Sequence, residues 1–166
     1  MFLLLVCIFL VACYKWGDWK NWKYYYPTIL FFIAGDYIEA FATSEKSLWE
    51  YSATVFSGEV THLITSLIIY PCTILLLLPL YSKSGAGRKF LYLILWVVIF
   101  TVLEYIEIKF KILTYYNGWR FSYSVLFDCV MIPLLVLHQR KPPLAWLGAL
   151  IFGSIIGFVF QLPVLN

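Results

Sequence analysis

Five carboxylic acids stand where hydrocarbon would be the ordinary neighbour. Asp36 and Glu39 lie in Gly35-Asp36-Tyr37-Ile38-Glu39, Glu104 and Glu107 in Leu103-Glu104-Tyr105-Ile106-Glu107, and Asp128 near the middle of a third apolar run. Both pairs are spaced i, i+3, which on a helix puts the two carboxyls on one face about a turn apart. Ionisable groups inside a lipid-spanning helix face a bundle interior or a wet cavity, where they bind cations, relay protons or pair with one another. A carboxyl in such a setting could also serve as an acid or base.

Other polar residues fall on compatible faces. Arg120, Ser124 and Asp128 are spaced i, i+4, i+8, and His62, Thr65 and Ser66 cluster on one helical stretch. The set Asp36, Glu39, His62, Glu104, Glu107, Arg120 and Asp128 is therefore the expected ligand-binding group. Two plainer readings stay open: Glu107 and Lys111 are placed for an i, i+4 ion pair at a solvated helix end, and Asp36, Glu104 or Asp128 could pair with Arg120 or Lys109. Glu59-x-x-His62 has the spacing of a helical metal-ligand pair, but a carboxylate-bridged site needs two such elements and the chain has one. No metal site is expected, and no cofactor is indicated. Gly-x-Ser-x-Gly, His-Glu-x-x-His and phosphate-loop patterns are absent from the sequence.

The elements carrying these residues are long apolar blocks. Of the 166 residues, 63% are hydrophobic, 20% aromatic and 13% charged, with a mean hydropathy of +0.85; a water-soluble domain does not have this composition. Leu91-Tyr92-Leu93-Ile94-Leu95-Trp96 does not alternate at period two, so a transmembrane barrel is excluded. The expected fold is an all-α polytopic bundle of about six spans in one domain, at residues 1–16, 27–43, 60–81, 90–108, 121–137 and 144–165. Leu10-Val11-Ala12-Cys13 resembles a lipoprotein cleavage box, but no basic residue precedes the apolar run, so the first block reads as a retained span. Pro27 is expected to open the second helix, and Pro71 and Pro133 to kink the third and fifth.

Acidic residues at a helix centre oppose insertion by about 2.5 to 3.5 kcal/mol each, while a Leu, Ile or Phe favours it by about 0.3 to 0.6 kcal/mol. The second block, with Asp36 and Glu39, is accordingly poor as an isolated insertion and needs partner helices or water.

Lys and Arg assign the sides. Alternate connections collect Lys15, Lys20, Lys23, Lys83, Arg88, Lys89, Arg140 and Lys141 on one side and Lys46, Lys109, Lys111 and Arg120 on the other, eight against four. The richer side is expected to be cytoplasmic, leaving both termini extracytoplasmic and the acids in the outer half. Basic residues interleaved with Trp and Tyr between Lys15 and Tyr26 read as a headgroup belt, not a nucleic-acid surface. The four cysteines, Cys7, Cys13, Cys72 and Cys129, form no Cys-x-x-Cys pair and read as packing residues. Ala145, Ala149, Gly153 and Gly157 recur every four residues on the sixth block, a small-residue stripe for close approach of another helix, in this chain or in a second copy.

Trp16-Gly17-Asp18-Trp19-Lys20-Asn21-Trp22 leading to Tyr26-Pro27-Thr28, then Gly35-Asp36, Tyr70-Pro71-Cys72-Thr73, Glu104-Tyr105, Asn117-Gly118-Trp119 and His138 through Pro142 resemble a family of small multi-span membrane proteins of spore-forming Gram-positive bacteria, over nearly the whole chain. The resemblance implies a multi-pass cell-membrane location and brings no activity or site residues with it. Three functions remain open: binding or transport of a cation, protons or a cationic small molecule through an outward acidic cavity; carboxyl acid/base chemistry on a lipid or isoprenoid; and a subunit of a membrane assembly.

Overall fold

The computed structural model describes residues 2–52, 56–83 and 85–163; Met1 and Leu165, the ends of two expected spans, lie outside them. The chain folds as helices with one small strand pair. Helix α1 is Phe2–Trp16 and α2 is Trp22–Ala42, joined by a tight turn with a 3-10 segment at Trp19–Asn21. Strand β1 is Trp49–Tyr51. Helix α3 has three parts, Gly58–Ile64, a π-helical turn at Thr65–Ile69, and Tyr70–Lys83. Helix α4 (Ala86–Lys109), strand β2 (Leu113–Tyr115), α5 (Phe121–Arg140) and α6 (Pro142–Phe160) complete the order.

Four helices are each long and apolar enough to cross a membrane: Gly58–Ser82, Gly87–Lys109, Phe121–Arg140 and Pro142–Phe160. The first two blocks reach that standard only together, and they meet at 85°. Length explains the first: at 15 residues, α1 is about 22 Å long against a hydrocarbon core of about 30 Å. Charge explains the second, because α2 contains Lys23, Asp36 and Glu39.

Pro27 does not open α2. The helix begins five residues earlier, at Trp22, and Pro27 lies within it, so the headgroup belt is partly helical. The turn before it is tied down by its own side chains. Trp19 Nε1 donates to the Cys13 carbonyl (2.8 Å), and Asp18 accepts from Asn21 Nδ2 (3.0 Å) and Tyr25 Oη (3.2 Å). A proline docks this turn on α3. Pro79 has no N–H, so the Leu75 carbonyl four residues earlier lacks its helical donor, and the Asp18 N–H donates to it at 3.2 Å.

The break expected near Pro71 takes the form of the π turn just before it, where the Tyr70 N–H bonds back to the Thr65 carbonyl. The sixth helix stops at Phe160, short of the expected 165. Gln161 adopts a left-handed conformation (φ 51°), and the Leu162 N–H returns to the Gly157 carbonyl. Lys46 Nζ donates to the Phe160 carbonyl at 2.6 Å, a cation on the negative end of α6.

The connections between α2 and α3 and between α4 and α5 pair as an antiparallel ladder with Trp49 opposite Tyr115, Glu50 opposite Thr114 and Tyr51 opposite Leu113. At the opposite end of the bundle α2 is pinned to α5. Gln139 Nε2 donates to the Tyr24 carbonyl (2.9 Å), which orients the amide so that its Oε1 accepts from Thr28 Oγ1 (2.7 Å). The hydroxyl has given its one proton, so the 3.0 Å contact with His138 is a donation from Nδ1–H. Phe31 stacks on the same imidazole at 4.2 Å.

The main core lies where α1, α2, α3 and α5 meet, around Ile74, Leu77, Ile132 and Leu135. Leu91, Leu95 and Val98 on α4 and Leu147, Ile151 and Phe158 on α6 are exposed on the outside, as suits helices facing lipid. The small-residue stripe on α6 does not form one surface. Ala145 and Gly157 are buried, whereas Gly153 is exposed with nothing within 4 Å of where a Cβ would stand. All four cysteines are free, Cys13 and Cys72 buried, Cys7 and Cys129 exposed.

Candidate functional site

The expected acids divide into two groups with different fates. The first centres on Asp36. Its Oδ2 lies 2.7 Å from His62 Nε2 and accepts from Ser66 Oγ at 2.6 Å, while Oδ1 accepts from Tyr70 Oη at 2.9 Å. All three partners come from α3 at positions i, i+4 and i+8. In an uninterrupted α-helix, residues eight apart have drifted about 80° around the axis. The wider π turn at Thr65–Ile69 takes out much of that drift and lets three donors converge on one carboxylate. Phe32 stacks on the Tyr70 ring at 3.9 Å and fixes its direction. Glu39, one turn further along α2, accepts from Thr43 Oγ1 (3.2 Å).

The second group lines a cavity of about 150 Å³. Glu104 and Glu107 from α4 and Asp128 from α5 supply its carboxyls, and no Lys or Arg is among its lining residues. Trp49, Tyr51 and Leu113 from the strand pair close one side, and Phe100, Trp119 and Phe127 add aromatic wall. Leu5 and Phe9 bring α1 to the same space.

Glu104 is held. Its Oε1 accepts from Tyr115 Oη at 2.7 Å; Ser124 Oγ donates to that same phenol oxygen (3.1 Å) and accepts from Trp119 Nε1 (2.8 Å). Burial, with the Glu104 carboxyl alongside, pushes the Tyr115 phenol above its usual range, so it remains a donor at neutral pH. Tyr51 is raised in the same way by burial and by Glu107. Asp128 is different. Its side chain is only 6% exposed, yet Oδ2 has no hydrogen-bond partner. Buried polar atoms are nearly always satisfied, so an orphan carboxylate oxygen facing a cavity is open to a proton, a water or a ligand.

Tyr70 joins the two groups, since it lines the cavity and its hydroxyl reaches Asp36. Of the seven expected site residues, Glu104, Glu107 and Asp128 share the cavity, and Asp36 and His62 form the adjoining ion pair, the one salt bridge among the described residues. Glu39 lies beside the Asp36–His62 pair without bonding to either, its carboxyl accepting from Thr43. Arg120 is exposed and pairs with no acid. It precedes α5 in an extended conformation (φ −144°, ψ 157°), so helical i, i+4 geometry, which does bring Ser124 and Asp128 together, does not extend back to it. Glu107 and Lys111 do not pair either, because α4 ends at Lys109 and Lys111 turns to positive φ. Glu59 is exposed in the first turn of α3, favourable to the helix dipole, while His62 faces Asp36. Among the described residues no group of three or more His, Cys, Asp or Glu side chains is disposed to hold a metal ion.

Reading the acids alone misses Trp49, Tyr51, Tyr70, Tyr115 and Trp119. Tyr70 had a signal, at eight residues from His62 and four from Ser66. The strand residues had a weaker one in the short aromatic and β-branched runs Trp49-Glu50-Tyr51 and Leu113-Thr114-Tyr115. No protein-family model, curated protein or solved structure matches this chain.

Proposed function

We propose that this is a multi-pass protein of the cell membrane that binds, and carries across part of the bilayer, a small organic cation in the cavity formed by Glu104, Glu107 and Asp128. The observation carrying this reading is the unpartnered, buried Oδ2 of Asp128 beside two further carboxyls in a space without a basic residue. The walls refine the ligand. Aromatic faces at Trp49, Tyr51, Trp119 and Phe127 attract an alkylammonium through their quadrupoles and tolerate its apolar substituents. A volume near 150 Å³ accommodates a molecule of about six heavy atoms, the size of benzene in an engineered cavity of that volume.

All six helices enter the bilayer in this reading, α1 obliquely, with both termini toward the extracytoplasmic side. The eight-to-four distribution of Lys and Arg supports that orientation. The strand pair joins the two connections on that side directly over the cavity. Covered by β1 and β2, the cavity opens outward when the strands move.

The test is calorimetric titration of the purified full chain in nanodiscs with tetramethylammonium chloride, against sodium chloride at equal ionic strength. Saturable binding of tetramethylammonium that weakens at least about tenfold in Asp128→Asn is expected, one lost charge–charge contact in a low-dielectric site. No saturable binding, or equal binding by the variant, would refute the assignment.

A further inference from the structure

A second recess lies at the other end of the bundle, independent of the acidic cavity. It is a groove of about 480 Å³ between α4 and α5, walled by Leu93, Val130, Pro133, Leu134 and Leu137. Tyr81, near the end of α3, and Arg140, the last residue of α5, stand at its mouth. The apolar walls alone say only that hydrocarbon covers them. The mouth says more. Lys89 Nζ lies 5.5 Å from the Tyr81 ring centroid and Arg140 Cζ lies 5.8 Å from it, so two cations converge on one ring. Neither forms a salt bridge, since the described residues contain only the His62–Asp36 pair. Two cations on one ring leave the groove mouth with positive charge that no carboxylate offsets, which an anion bound there would neutralise.

The geometry points to a bound anionic phospholipid, one acyl chain in the α4–α5 groove and its phosphodiester held by Lys89 and Arg140. Charge complementarity and position choose this occupant. A fork of guanidinium donors suits a phosphate, the apolar walls suit an acyl chain, and basic pockets between transmembrane helices on the cytoplasmic side take lipid headgroups. Tyr81 serves as the spacer, its ring holding the cationic side chains at the groove mouth.

Native mass spectrometry of the delipidated full chain, with dioleoylphosphatidylglycerol or dioleoylphosphatidylcholine added back in equal amounts, tests this. One phosphatidylglycerol should be retained with a preference of about tenfold or more over phosphatidylcholine, as two basic contacts near a lipid surface predict. Lys89→Gln with Arg140→Gln, which changes only side chains at the groove mouth, should abolish the preference. Leu93→Trp, which fills the groove, should lower retention of phosphatidylglycerol with both cations still in place. Equal retention of the two lipids by the wild type, or an unchanged preference in the double variant, would overturn the proposal. Displacement of the lipid by millimolar inorganic phosphate would also overturn it, because the groove would then contribute nothing.

Discussion

Replacing Asp36 with alanine removes the acceptor from three donors at once, His62 Nε2, Ser66 Oγ and Tyr70 Oη, at 2.7, 2.6 and 2.9 Å. The magnitude depends on which donors find another partner. Hydrogen bonds to a charged group contribute about 1.5–3 kcal/mol each in proteins generally, whereas helix-to-helix bonds within bilayers average about 0.6 kcal/mol. Ser66 also lies 2.9 Å from the His62 carbonyl within its own helix, so it loses little. Tyr70 is held in its direction by the Phe32 stack, so its hydroxyl loses its acceptor outright. His62, whose side chain is 25% exposed, recovers part of its loss from its surroundings. The total is thus expected near the low end, about 2–4 kcal/mol, or a fall of about 5–15 °C in melting temperature for a chain of this length. Asp128→Asn should behave oppositely. Its Oδ2 has no partner to lose, and an amide of the same size costs no more to bury than a carboxyl, so stability should hold or rise by about 1 kcal/mol. Thermal unfolding in nanodiscs, followed by tryptophan fluorescence, measures both. Equal destabilisation by the two substitutions, or an Asp36→Ala melting point within about 2 °C of wild type, would refute the division of the acids into a structural and a ligand-binding group.

Tyr115→Phe removes the hydroxyl that donates to Glu104, leaving that carboxyl more available. Tetramethylammonium should bind about fivefold more tightly, equivalent to about one hydrogen bond, and weaker binding by calorimetry would show that Tyr115 holds Glu104 in place instead. Gly58→Ala would set a Cβ against the backbone carbonyl oxygen of Tyr51, which cannot yield as a side chain would. A loss of about 1–3 kcal/mol with faster amide exchange in β1 is expected; wild-type exchange there would contradict the close approach. Pro79→Ala restores an N–H that competes with Asp18 for the Leu75 carbonyl. Amide exchange at Asp18 should quicken about tenfold, matching about 1.4 kcal/mol of lost protection, and unchanged exchange would argue that the turn is held by its side chains alone.

Much of the architecture is legible in the residues because long apolar blocks leave few structural choices. Blocks of about twenty apolar residues must be helical when no water is present to satisfy their backbone, and four of the expected blocks correspond to helices long and apolar enough to cross a membrane. Local helical spacing likewise identifies Glu104 and Glu107 as neighbours, and Ser124 with Asp128. It fails at helix ends. Spacing alone places Arg120 and Lys111 on faces of helices that do not include them, because where a helix stops depends on capping and on the connection that follows.

Asp36, Glu39, Glu104, Glu107 and Asp128 show where local spacing ceases to decide. Their number, depth and shared faces follow from the sequence, since periodicity and hydropathy are properties of one chain segment at a time. Whether a carboxyl is satisfied is a property of several segments. Asp36 is saturated because a π turn in α3 aligns three donors with it, whereas the strand pair brings Tyr115 to Glu104 and Asp128 Oδ2 has no partner. Both outcomes require the rotation and register of one helix against another, and these are set by side-chain packing between elements distant in sequence. Apolar surface alone does not encode them, since in lipid one hydrocarbon face is as good a neighbour as the next.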